Sequence, residues 1–183
     1  MPTKVVTAPA ALPVTIAEAK AFSRITIDDD DTLLTALITT ATAHAEHFTG
    51  LRFVTQTLDM YLDSFPGAYG TIHISGPVAS ITSIKYTDTD GVEQALDSAD
   101  YITDLISNPA RITPSFEGEW PETREQVNAV VIRFVQGGAT SACPEEAKTF
   151  IKAYVGHVYD GLTGDPLKMY SGLLDPVRRE FAV

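Results

Sequence analysis

The chain has 183 residues, 44% of them hydrophobic and 20% charged, a mix that suits one packed domain or a small core with an elaborated insertion. Its 24 acidic and 13 basic residues leave a net charge of −11, which argues against sequence-specific DNA binding, because affinity for phosphates rests on Lys and Arg. No apolar run approaches the roughly 18 residues of a membrane span, and the single cysteine, Cys143, excludes an intrachain disulfide and a Cys-based zinc site within one chain.

One cysteine also fits folding in a reducing cytoplasm. The N-terminal stretch MPTKVVTAPAALPVT has no continuous apolar segment of the kind a signal peptide carries. Residues 1–12 are expected to form an extended arm that packs along a neighbour or starts out disordered. Thr15 and Glu18 have the spacing of a capping box, in which each satisfies the other's free backbone N–H, so a short helix is expected over 16–24. Four consecutive aspartates, Asp28 to Asp31, then precede TLLTALITTATAHAEHFTG. Leu33, Leu34, Leu37, Ile38, Ala41, Ala45 and Phe48 recur at helical spacing as one apolar stripe, and Gly50 is the natural stop. Asp28 or Asp29 is expected to cap this long helix, with the remaining acids at the positive end of its dipole. A metal on the aspartates would need further ligands that the sequence does not locate.

Residues from about 52 to 136 read as strands. TLDMYLDSF places Leu58, Met60 and Leu62 on one face, and TIHIS does the same with Ile72 and Ile74, leaving His73 exposed. Asp90-Gly91 is a hairpin signal after ITSIKY, and Asn108-Pro109 marks a turn between two further strands. NAVVIRFVQG is the strongest strand, with Val130, Ile132 and Phe134 on one face. SFEGEWPETREQ reads as an exposed polar loop holding the only tryptophan, Trp120.

The last third is helical again. Pro144 is expected at the first helical position, followed by Glu145 and Glu146 at the positive end of the dipole. Ala147, Phe150, Ile151, Tyr154, Val155 and Val158 form the second long stripe, with His157 at its edge. Gly161 and Gly164-Asp165-Pro166 break it, and SGLLDPVRREFAV is expected to close as a short helix. The fold class is α+β: a helical core from the two ends of the chain (13–51 and 143–183) with an antiparallel β module (52–140) inserted, all in a single domain over 1–183.

No catalytic constellation emerges. His44 and His47 lie three apart in HAEH, whereas zinc proteases need histidines four apart with the glutamate directly after the first. A helix N-terminus can lower the pKa of a thiol such as Cys143, but no base is positioned beside it. Gly137-Gly138-Ala139-Thr140 lacks the lysine of a phosphate loop, and Glu117 and Glu119 beside Trp120 are two residues apart on one loop. No enzyme, no cofactor and no metal site are expected, and an interaction protein is the better reading.

Several pieces in order carry a resemblance. They are T-x-x-E-A-K at Thr15 to Lys20, then I-D-D-D-D-T-L-L, Ala41 with Glu46, and F-T-G. After them come V-T-Q-T-L-D-M-Y-L-D-S-F-P from Val54, P-V-A-S-I-T-S-I-K-Y-T-D-T-D-G-V from Pro77, N-A-V-V-I-R-F-V-Q-G from Asn128, C-P-E-E-A-K and G-L-L-D-P-V-R-R. The series, from about residue 13 to 180, resembles the head-tail connector (adaptor) proteins of tailed bacteriophages, prophages and gene-transfer agents. That resemblance implies a structural virion protein at the capsid vertex, made in the bacterial host cytoplasm. It implies a homo-oligomeric ring, commonly of twelve copies, under the portal protein. Such a ring bridges the portal to a head-completion (stopper) or tail protein and lines a DNA channel without specific binding, and no membrane is involved. The arm of residues 1–12 departs from the pattern, since family members often lack it. The apolar and basic C-terminal segment is the expected portal-docking site, through Leu173, Leu174, Pro176, Val177, Arg178, Arg179 and Phe181. The competing expectations are a tail-terminator or tail-completion subunit, and a carbohydrate-binding or hydrolytic module around Trp120.

Overall fold

The computed structural model describes residues 2–178. The fold is α+β, with the helices drawn from the two ends of the chain and the antiparallel strands chiefly from its middle. Two compact units result: a β unit of Met1–Ala8 with Thr55–Gly137, and a helical unit of Pro9–Val54 with Gly138–Val183.

Among the described residues, eight strands build the β unit: β1 (Thr3–Thr7), β2 (Gln56–Leu62), β3 (Ile72–Ile74), β4 (Val78–Thr87), β5 (Glu93–Leu96), β6 (Tyr101–Asp104), β7 (Ala110–Pro114) and β8 (Val130–Gln136). Five pair in the order β1-β2-β8-β4-β5, and three in the order β3-β7-β6. Strand β8 sits at the centre because its alternation is the cleanest: Val130, Ile132, Phe134 and Gln136 are buried and the residues between them are not. Register places Leu58 opposite Phe134 and Met60 opposite Ile132, and Ile72 faces Ile112 in the smaller sheet. These side chains belong to one apolar core with Ile74, Ile84 and Phe65. The β-branched run Thr3–Thr7 of the arm pairs with β2 as an edge strand, exposed along its whole length. Asp88, Asp90 and Gly91 form the turn after β4, where the Asp88 carboxylate accepts from the N–H groups of Asp90 and Val92. His73 is exposed, as its place in the alternation requires.

One expectation in this unit fails. Trp120 is buried: it stacks face to face on Phe65 with ring centroids 4.8 Å apart, and its indole N–H donates to the Gly70 carbonyl at 2.7 Å. The surrounding residues are polar, but a large aromatic finds its free energy in the core and its one donor finds a carbonyl there.

The helical unit contains α1 (Ile16–Ser23), α2 (Asp31–Thr49), α3 (Glu145–Tyr159) and α4 (Pro166–Tyr170). The capping box at Thr15 and Glu18 is present. Helix α2 buries Leu34, Ile38, Ala41, Ala45 and Thr49, and Gly50 ends it in the left-handed conformation (φ 68°). Leu33, expected in the stripe, is exposed because the stripe's centre runs through Leu34 and Ile38. Helix α3 packs Ala147, Phe150, Ile151 and Val155 into the same core. Its last turn departs from the periodicity. His157 is buried and Val158 exposed, because Tyr170 of α4 lies edge-on against the His157 ring with centroids 5.8 Å apart. Pro144 is the N-cap of α3, so its first helical residue is Glu145. Asp165 caps α4 through a bond from the Leu167 N–H at 3.0 Å. The segment expected as a short helix is a 3-10 helix over Ser171–Val177, and Pro176 within it cannot donate to an α-helical ladder.

Candidate functional site

The four aspartates do not converge into a group of metal ligands, and no side chain caps α2. The N-cap is Asp30, whose carboxylate makes no cap bond but accepts the Tyr159 hydroxyl of α3 at 2.7 Å. Asp28 and Asp31 converge on the Lys20 ammonium of α1 at 2.6 and 2.5 Å. The run therefore ties α2 to both α1 and α3, while Asp29 stays exposed. Hydrogen bonding to Lys20 holds the Asp28 carboxyl below its ordinary range, and the same pairing holds the Lys20 ammonium above its own. Lys20 lies within the T-x-x-E-A-K string, but only the packing of α1 beside α2 reveals that it is the partner of the aspartates.

The other candidate chemistry disperses. His44 and His47 are both exposed and line a hollow of about 160 Å³ with Phe48, Phe150, Leu167, Ser171 and Leu174. No group of three His, Cys, Asp or Glu side chains among the described residues converges on a metal position. Cys143 is buried, and burial pushes its thiol up to about 11, the reverse of the activation a helix start can give. Glu119 accepts the Tyr69 hydroxyl, which raises the tyrosine's pKa, and Glu117 stands apart on a left-handed turn (φ 61°). Glu46 serves structure as well: it accepts the Phe53 N–H at 2.9 Å and pairs with Arg52 at 3.0 Å.

The C-terminal segment divides into buried and presented side chains. Leu174 is 1% exposed and belongs to the helical core, and Val177 packs partly against that core. Leu173 and Pro176 face outward from the 3-10 helix. The Arg178 guanidinium lies 5.0 Å from the centroid of the Phe48 ring, a cation–π contact with α2. Arg179 and Phe181 lie outside the described residues. Leu173, Pro176 and Arg178 are thus the exposed residues of the C-terminal segment, on a turn anchored by Leu174. Sequence reasoning missed a second surface. A hollow of about 370 Å³ opens between the ends of α1 and α3, lined by Phe22, Ser23, Arg24, His157, Leu162 and Tyr170 among others.

No group of His, Cys, Asp and Glu among the described residues could hold a metal, and the α+β chain folds into two units. Residues 13–71 match the phage gp6-like head-tail connector protein family. The fold is similar over the whole chain to a chain in the neck of an empty gene transfer agent particle computed with C6 symmetry. That similarity has a TM-score of 0.78 and 20% identity, and covers 100% of this chain and 98% of the other. A chain in the neck of the native particle computed with C12 symmetry gives 0.75 and 23%, with the same coverage. A chain of the native gene transfer agent virion gives 0.74 and 22%, again with 100% and 98% covered. No curated protein matches by sequence.

Proposed function

We propose that this protein is a structural head-tail connector of a phage or gene-transfer-agent particle, and not an enzyme. It assembles as a ring under the portal, bridges the portal to the next head-completion or tail component, and lines part of the DNA channel in the virion neck. The observation that carries this reading is the pairing of the two comparisons. The connector family match falls on residues 13–71, and the fold is shared along the full chain with chains from gene transfer agent necks. The C12 symmetry of one such neck supports a ring of twelve copies. A net charge of −11 suits a channel past which DNA slides, since like charges withhold the phosphate contacts that would retain it.

The portal-docking surface in this reading is the exposed side of the C-terminal 3-10 helix, Leu173, Pro176 and Arg178, with the chain continuing through Arg179 and Phe181. The test is electron microscopy and pull-down of the purified chain with its cognate portal protein. Rings on the portal, lost in a Leu173→Asp, Arg178→Glu variant of unchanged melting temperature, are the expected result. Binding to a tail tube instead of the portal would overturn the assignment in favour of a tail-completion subunit.

A further inference from the structure

The N-terminal strand adds a ladder to its sheet and nothing to its core. All five residues of β1 are exposed, and among the described residues no β1 side chain belongs to the apolar core of the β unit. Its register sets Thr3 opposite Met60, Lys4 opposite Asp59, Val5 opposite Leu58 and Thr7 opposite Thr57, and the Tyr61 N–H donates to the Pro2 carbonyl at 3.2 Å. Lys4 is not needed to neutralise the acid it faces, since Arg133 already holds the Asp59 carboxylate through two 2.8 Å bonds. A main-chain ladder of this kind can be offered equally well by another chain, as in recognition by strand addition.

The connection after β1 has the same loose character. Residues 1–8 belong to the β unit and 9–54 to the helical unit, so β1 and its partner β2 are separated in sequence by the first part of the other unit. On the helical side the chain is fixed at Pro13 and Val14, both buried, and Leu12 packs partly against that core. Ala8 to Ala11, between this anchor and the strand, are exposed. Pro9 stiffens the hinge, and Pro9 and Pro13 both disfavour helix in the residue before them. Strand β2, by contrast, is fixed in place by Leu58 and Met60, and without β1 it would be the edge of its sheet, with a row of unpaired main-chain groups.

We infer that in the assembled ring β1 of each copy leaves its own β2 and pairs with β2 of the adjacent copy, at the register found within the chain. Exchange replaces one ladder by an identical one, so it sacrifices no core contact and joins each copy to the next. The β2 edge accepts one strand only, so each copy gives one arm and takes one. The arm and the edge are different patches, and such a heterologous contact propagates and closes into a ring when the rotation allows. This inference rests on the connector reading but names a contact that the reading does not require.

The test places cysteines at Thr7 and Thr57, which face each other across the ladder and lie outside the core, while the native Cys143 is buried. Full-length chains carrying Thr7→Cys and Thr57→Cys together are assembled on the cognate portal, bridged with a short bismaleimide and run on a denaturing gel. Exchange gives a ladder of covalent multimers, whereas the dilute free chain gives a monomer bridged within itself. A mixture of the two single variants gives covalent dimers and nothing larger. Rings whose chains are bridged only within themselves overturn the inference and leave the connector function standing. If the cysteine variants misfold, a chain lacking residues 2–7 serves. Its Trp120 emission stays as in wild type, because β1 gives the core no side chain, and its yield of rings on the portal falls at least tenfold. An undiminished yield also overturns the inference. Wild type that forms no ring on the portal overturns the connector reading and this contact with it.

Discussion

Burial raises the Cys143 thiol to about 11, so near neutral pH it is a protonated core side chain and not a nucleophile. Ellman's reagent at mildly alkaline pH should label it slowly in the native protein and rapidly in denaturant. Equal rates would mean that the helical core around it is open. Trp120 is the other residue whose surroundings decide its role. As the only tryptophan, buried on Phe65, it makes fluorescence a reporter of the β unit alone. Its emission should shift to longer wavelength as that unit unfolds. Trp120→Ala should destabilise the unit by about 3–5 kcal/mol, the usual cost of removing a buried aromatic, read from urea melts.

At the scale of elements, Lys20 links α1 to the first turn of α2 through Asp28 and Asp31. The Asp28 carboxyl is depressed by its hydrogen bond to Lys20, so its stabilisation is complete above the ordinary carboxylate range and is lost as pH falls through the lowered value. The Lys20 ammonium is raised, so its share is present below the ordinary lysine range and is lost only as pH rises through the raised value. The two windows overlap around neutrality. Urea melts of wild type and Lys20→Met should therefore differ most near pH 7 and converge in acid. A constant gap would show that the ion pair is not the cause. In the C-terminal 3-10 helix, adjacent leucines have opposite tasks. Leu174→Ala should cost about 2–5 kcal/mol of stability in the helical unit, whereas Leu173→Ala should leave stability within about 0.5 kcal/mol. Calorimetry of the two variants separates the core position from the presented one.

At the scale of the molecule, the charge of −11 predicts that the chain does not retard double-stranded DNA in a gel at physiological salt. A shift under those conditions would count against passive passage through the neck. Much of the architecture was legible in advance, for reasons that differ by element. Residues 34 to 49 and 130 to 136 are long and strongly periodic, and such runs declare helix and strand because the backbone repeat sets which side chains share a face. The capping box at Thr15 and the glycine at Gly50 mark ends through local backbone chemistry alone. Which side chains face outward was less visible. The exposure of Phe116, the burial of Trp120 and the inward turn of His157 each depend on what packs against them from elsewhere in the chain.

The aspartates show where the division falls. By itself the sequence determined that a helix starts at the run Asp28 to Asp31, that the middle of the chain is antiparallel β, and that no active-site motif is present, since these follow from spacing and residue type. Only the tertiary structure decided that Asp28 and Asp31 hold Lys20 while Asp30 holds Tyr159, and that Leu174 is core and Leu173 surface. The physical reason is range. Periodicity and capping act over one or two turns of chain, whereas an ion pair or a buried contact joins groups that only the folded backbone brings within a few ångströms.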